Sequence, residues 1–258
     1  MVIRRIREHA ETHNWFAVAI DLVIVVLGVF LGMQVNNWNE TRSQRGAAAE
    51  YRRQIIDDLK DNEADMASRG AYYRKVRDHA LGLLAALNAR SGPRGEDFVI
   101  DSYQASQVWL RPLVRTGYDE MTGAGLTHYI GDRALRSRLT NYYTQTRQFD
   151  VTALNTTSYR ERVRRALPYE VQMTIRKRCG EVVTTMPNGA QTARLPDTCA
   201  PALGEAAIAT AASRVEAAEL REDLTRHIAD LDQKLAGFDR FGGLAHGIRL
   251  FLEAQDRT

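Results

Sequence analysis

The chain has 258 residues, with 35 Lys and Arg against 32 Asp and Glu, for a net charge of +3. The arginines are interleaved with acids and no recognised nucleic-acid motif occurs, so the reading includes no nucleic-acid partner; the scarcity of lysine follows from codon composition. The roughly 220 residues that follow an apolar amino-terminal run are enough for one domain with its own core.

Residues 1–14 read as an amphipathic cytoplasmic tail, with Val2, Ile3, Ile6 and Ala10 on one side and arginines suited to anionic headgroups. Then comes "WFAVAIDLVIVVLGVFLGMQVNNW", residues 15–38, a predicted transmembrane helix. Trp15 to Val35 would rise roughly 31 Å, about the thickness of a hydrocarbon core. Its 13 Leu, Ile, Val and Phe residues outweigh the penalty of about 3 kcal/mol for one Asp at the bilayer centre. A cleaved signal peptide is the rival reading, but bulky and amide residues from Met33 to Trp38 occupy the place of a small-x-small cleavage site. Trp15 and Trp38 suit the two aromatic belts.

Within that span Asp21, Val25, Gly28 and Gly32 fall within about 40° of one line on the helix. Gly28 and Gly32 form a GxxxG pair that permits close helix approach, and a carboxylate is tolerated inside a membrane when it faces protein. These four residues are the expected transmembrane interface.

From Asn39 to Arg90 the sequence predicts one long helix. Tyr51, Ile55, Leu59, Met66, Tyr73, Val76, Ala80, Leu83 and Leu87 recur in steps of mostly three, four or seven, close to a coiled-coil heptad. Ser91, Gly92, Pro93 and Gly95 end it. Asp57, Asp61 and Asp65 share a face of this helix, and stacked carboxylates can hold a divalent cation. The simpler reading is a solvated face with Arg53 and Lys60 as counterions.

Further on, Thr116 with Asp119 suggests a capping box. Gly123 and Gly125 make a turn, and Asp132 caps a helix that carries Leu135, Leu139, Tyr142, Phe149 and Leu154 and reaches Pro168. Inside it "RERVRR", Arg160 to Arg165, reads as a solvated face, with a basic partner-binding stripe as the alternative. Val182–Met186 and Gln191–Leu195 read as strands about a Pro-Asn-Gly turn. A three-residue loop centred on Gly189 would set Cys179 and Cys199 opposite one another, near disulfide distance. A third helix bears Leu220, Leu224, Ile228, Leu231, Leu235 and Phe238, and a short tail from Phe241 to Leu252 closes the chain.

The expected fold is therefore mainly α: one amino-terminal transmembrane helix, a long helix, and an antiparallel helical bundle with one small disulfide-closed β-hairpin. Charge counting is nearly silent on orientation, with Arg4, Arg5 and Arg7 before the span and Arg42 and Arg45 after it. A Cys179–Cys199 disulfide would imply an oxidising compartment. That gives an amino terminus in the cytoplasm, a single pass through a bacterial inner membrane, and residues 39–258 in the periplasm.

"NWFAVAIDLVIVVLGVFLGMQVNNWNETR" and "GYDEMTGAGLTHYIGDRALRSRLTNYY" together resemble an uncharacterised family of bacterial single-pass membrane proteins, a domain of unknown function. Its members begin with an NW–span–NWNE–R segment and later carry a Tyr-Asp-Glu, Gly, Ile, Leu-Arg, Tyr-Tyr block. The resemblance covers the first fifty or so residues and the block from Gly117 to Tyr143. It implies an anchor and an attached domain, and brings no activity.

Catalytic signatures are missing: no Gly-x-Ser-x-Gly elbow, no His-Glu-x-x-His, no phosphate loop, no dinucleotide fingerprint. His79, His128, His227 and His246 are scattered too widely for a helical metal site. Asp119 and Glu120 beside the glycine turn are the one candidate acid/base pair, and capping already explains Asp119. The expectation is a non-enzymatic interaction or scaffold module without cofactor, bound to the lipid bilayer, self-associating or docked on another membrane protein. The alternatives are a ligand-binding sensor that signals through a partner, and an enzyme using Asp119 and Glu120.

Overall fold

The computed structural model describes residues 15–255 except 90, 91, 93, 110, 187 and 188. The expected cytoplasmic tail, residues 1–14, lies outside them, as do the helix breakers Ser91 and Pro93.

The organising element is α1 (Trp15–Asn88), one helix of 74 residues that joins the apolar run to the amphipathic segment without a break. No proline falls within it, and its glycines cost about 1 kcal/mol each at most, too little to interrupt a helix supported by packing. Its length is roughly 110 Å. Nothing in the sequence at Asn36–Asn39 breaks the helix, so the span and the following helix are a single rod.

After α1 come α2 (Glu96–Gln104), α3 (Thr116–Gly123), a short 3-10 turn (Thr127–Tyr129), α4 (Arg133–Leu154), α5 (Ser158–Ala166) and α6 (Tyr169–Cys179). A two-stranded antiparallel hairpin, β1 (Val182–Thr185) and β2 (Gln191–Arg194), leads to α7 (Glu205–Ala217) and α8 (Arg221–Gln255). Over the described residues the fold is mainly helical, with one hairpin and the Cys179–Cys199 disulfide.

α8 packs antiparallel along α1. Arg52 reaches the carbonyl of Leu252, Glu63 meets His246 and Arg249, Arg77 pairs with Asp232, and Arg221 reaches the carbonyl of Leu87. The stripe expected from the sequence is what α1 buries: Ile55, Leu59, Met66, Tyr73, Val76, Ala80 and Leu83 are each 2% exposed or less. They feed two apolar clusters that share α1 and α8. The nearer to the apolar run gathers Ile55, Leu59, Met121, Leu135, Leu139 and Leu252; the farther gathers Val76, Leu83, Val99, Tyr159, Ile175 and Leu231.

Several expectations are corrected. The helix begun at Arg133 stops at Leu154 rather than reaching Pro168: Asn155 is extended, with its carbonyl held by Lys234 Nζ at 2.8 Å, and the Thr157 hydroxyl pairs with His227 Nδ1 at 2.7 Å. These tertiary bonds stabilise the break. The stretch expected to be a short tail is instead the continuation of α8, with Phe241 and Ile248 buried and Leu244 and Phe251 left more exposed. Asp132 does cap α4, accepting from the Leu135 amide at 2.8 Å. Thr116 and Asp119 form no capping box; Thr116 is already inside α3, and Asp119 turns to Arg115.

The disulfide is present, Cys179 to Cys199, with Cα atoms 5.3 Å apart. The hairpin register differs from the expected one, since Val182 faces Arg194 and Thr185 faces Gln191. Extended to the cysteines, that register would set Cys179 level with Asp197. The bond forms because Cys179 ends α6 and Cys199 lies in the loop beyond β2, where neither is bound to the ladder. Gly189 has φ of 79°, which its lack of a side chain allows.

Candidate functional site

Two regions stand out: the apolar first third of α1 and the polar groups packed on its remainder. α1 contains an 18-residue window of mean hydropathy 2.5, none of it buried. Large apolar side chains from Phe16 to Val35 are exposed, flanked by Trp15 and Trp38. By length and composition the helix is suited to crossing a membrane. Val25 is 50% exposed, and a Cβ added at Gly28 or Gly32 would meet nothing within 4 Å. Asp21, Val25, Gly28 and Gly32 thus lie on an open helix face in the single chain.

Further along α1, Asp58, Asn62, Asp65 and Arg69 form a buried polar seam beside the apolar stripe. Their 4-3-4 spacing keeps them on one face. Asp58 accepts from the Gly117 amide at 2.7 Å, so the first turn of α3 is capped by a carboxylate from another helix. Asn62 pairs with both backbone groups of Val114, donating at 2.7 Å and accepting at 2.9 Å. Asp65 is bound by Arg69 at 2.5 Å, with Arg111 and Asp150 at the edges of the pair. Gly117 allows this approach: a Cβ there would lie 2.9 Å from Gln54 Cβ and 3.0 Å from the Ile55 backbone nitrogen.

Burial pushes the Asp58 carboxyl above its ordinary range, with the Gly117 amide opposing and Asp61, Asp57 and Glu120 adding to the rise. Asp150 is likewise raised by burial, against the Leu113 amide and Arg69. Glu63 behaves oppositely. Partial burial would raise it, but hydrogen bonds from Arg249 and His246 hold it below the usual carboxylate range.

The acids picked out by sequence are dispersed. Asp57 is exposed, Asp61 half-buried and Asp65 buried against Arg69. The supposed solvated face therefore turns into the protein at its far end, and Arg53 pairs with Glu50 rather than with these aspartates. Among the described residues no group of three or more His, Cys, Asp or Glu is arranged to hold a metal. Asp119 is held by two guanidinium hydrogen bonds of 2.6 Å from Arg115 and lines a cleft of about 530 Å³ with Tyr143 and Asp150. Glu120 is exposed and does not line that cleft.

The "RERVRR" segment is only partly a solvated face. Arg162 turns to Asp223 and the Ala218 carbonyl. Arg160 and Arg164 turn inward to residues just beyond the carboxyl end of α2: Arg160 donates to the Ser106 carbonyl, and Arg164 Nε to the Ser106 hydroxyl at 2.6 Å. Sequence reasoning missed Asp58, Asn62 and this inward pair. The signal for the seam was the second 4-3-4 repeat in α1, which the apolar repeat beside it obscured.

No protein-family model, curated protein or solved structure matches the chain.

Proposed function

We propose that this chain is a non-enzymatic, membrane-anchored interaction module of the bacterial inner membrane. In this reading residues 15–38 cross the bilayer, residues 1–14 are cytoplasmic and the helical domain 39–258 is periplasmic. The module self-associates or serves as an accessory subunit of a membrane complex, and it shares its architecture with the NW–span–NWNE–R proteins it resembles.

The observation that carries the proposal is the unburied apolar first third of α1, on a rod whose remainder is packed by α8 and the bundle. A contiguous apolar surface of that length is an aggregation liability in water and is satisfied in a bilayer. Asp21 on the same face as Gly28 and Gly32 then calls for a protein neighbour, because a carboxylate facing lipid is costly. The disulfide supports an oxidising side for the domain. A ligand-binding sensor that signals through a partner is the second reading, favoured by the arginine-lined cleft between α5 and α6.

Protease treatment of spheroplasts tests the anchor and its orientation together. The domain should be digested from outside while remaining in the membrane fraction when cells are intact. A domain protected in intact spheroplasts but digested after lysis would reverse the orientation, and recovery in the soluble fraction would remove the anchor.

A further inference from the structure

The hydrogen-bonding and stacking partners of Arg160 and Arg164 are neutral groups. Arg164 Nε donates to the Ser106 hydroxyl at 2.6 Å and Nη2 to Gln107 Oε1 at 3.2 Å, while its guanidinium stacks 3.8 Å from the centre of the Tyr103 ring. Arg160 donates to the Ser106 carbonyl. Arg176, from α6, completes the basic lining of the same cleft, whose volume is about 350 Å³. Among the described residues no carboxylate forms an ion pair with any of the three. Among the described residues Glu181 is the only acid lining the cleft, and its carboxylate is engaged by the Tyr72 hydroxyl at 2.7 Å.

Buried or half-buried charges in folded proteins are ordinarily paired, since desolvating a cation without a counterion is costly. Here burial pushes the Arg164 guanidinium below its ordinary value, and the neighbouring Arg160 charge adds to that fall. Two like charges held four residues apart on α5, with a third across the cleft, leave a surplus of two positive charges over Glu181. Guanidinium groups present planar forks that match the oxygens of phosphate or sulfate.

We propose that the cleft formed by Arg160, Arg164 and Arg176 is a binding site for a small dianionic oxyanion of the phosphate class, free or as a soluble phosphomonoester. A lipid headgroup of the anchoring membrane is too distant. Tyr72, which touches the cleft through Glu181, lies 37 residues beyond Val35 on α1, roughly 55 Å along the helix.

The test is calorimetric titration of the full chain in neutral detergent with inorganic phosphate, with sodium chloride at matched ionic strength as the reference. Saturable binding of one phosphate per chain is expected. Arg176→Gln, on an exposed side chain, should weaken it roughly ten- to a hundredfold without changing the melting temperature measured without phosphate. Arg164→Gln should abolish binding. Arg165→Gln, on the same helix but outside the cleft, should leave it unchanged. No saturable signal above chloride, or binding indifferent to both Arg164→Gln and Arg176→Gln, overturns the site. Binding only to vesicles containing phosphatidic acid, and not to inorganic phosphate, would overturn the soluble ligand. Either failure leaves the membrane anchor untouched.

Discussion

Replacing Gly117 with alanine isolates the contact that docks the resemblance block onto the long helix. The new Cβ would sit 2.9 Å from Gln54 Cβ, 3.0 Å from the Gln54 carbonyl carbon and 3.0 Å from the Ile55 nitrogen. Two of those atoms are α1 backbone, which cannot rotate away as a flexible side chain would. Overpacking of this kind costs about 1–3 kcal/mol. Relief by moving α3 outward stretches the 2.7 Å bond from the Gly117 amide to Asp58 and leaves both groups poorly satisfied, a further 1–3 kcal/mol or so. The combined loss, about 2–6 kcal/mol, corresponds to a melting temperature lower by roughly 4–24 °C for a domain of this size. Circular dichroism of the full chain in detergent, followed on heating, measures it. Gly123→Ala is the control: it lies in the same helix, and a Cβ there meets nothing within 4 Å. If Gly117→Ala melts within a degree or two of Gly123→Ala, the close approach is not what positions α3.

Other consequences can be checked in parallel. Because burial raises the Asp58 carboxyl, its titration favours the fold at low pH and that contribution is lost as pH rises through the raised value. Asp58→Asn, which keeps an acceptor for the Gly117 amide, should therefore match or exceed the parent in stability at pH 7, with its advantage shrinking on acidification; Asp58→Ala should cost about 1–3 kcal/mol in urea unfolding. Cys179 and Cys199 should resist a thiol reagent in unreduced cells and react only after reduction and denaturation, and their reduction should destabilise the domain by about 3 kcal/mol, given a sequence separation of 20. Gly28→Ile combined with Gly32→Ile should weaken association of the isolated span in a membrane reporter at equal insertion; an unchanged signal would make the glycine spacing incidental.

The long helix beyond residue 39, its buried stripe and the disulfide were legible in the sequence because each rests on a repeating or pairwise signal, whereas the helix's unbroken continuation from the apolar run was not expected. Ile55, Leu59, Met66, Tyr73 and Leu83 repeat at helical spacing whatever their partner is, and two cysteines allow only one intramolecular pairing. Tertiary chemistry was not legible. The break at Asn155 depends on Lys234 and His227, some 70 to 80 residues away, and the cap of α3 depends on Asp58 rather than on the local Thr116 and Asp119. Arg160 and Arg164 looked like a solvated face because their composition is basic. Their inward direction is set by residues 103–107, at and just past the carboxyl end of α2, which no local pattern connects to α5.

In vivo photo-cross-linking tests the central claim most directly, with a photoreactive amino acid at the exposed positions Leu81 on α1 and Leu244 and Phe251 on α8. An interaction module predicts an adduct of one discrete mass from at least one of these positions, containing either a second copy of the chain or a different subunit. Monomer alone at every position would contradict it, and turnover of a substrate by the purified chain, lost on Glu120→Gln, would put an enzyme in its place.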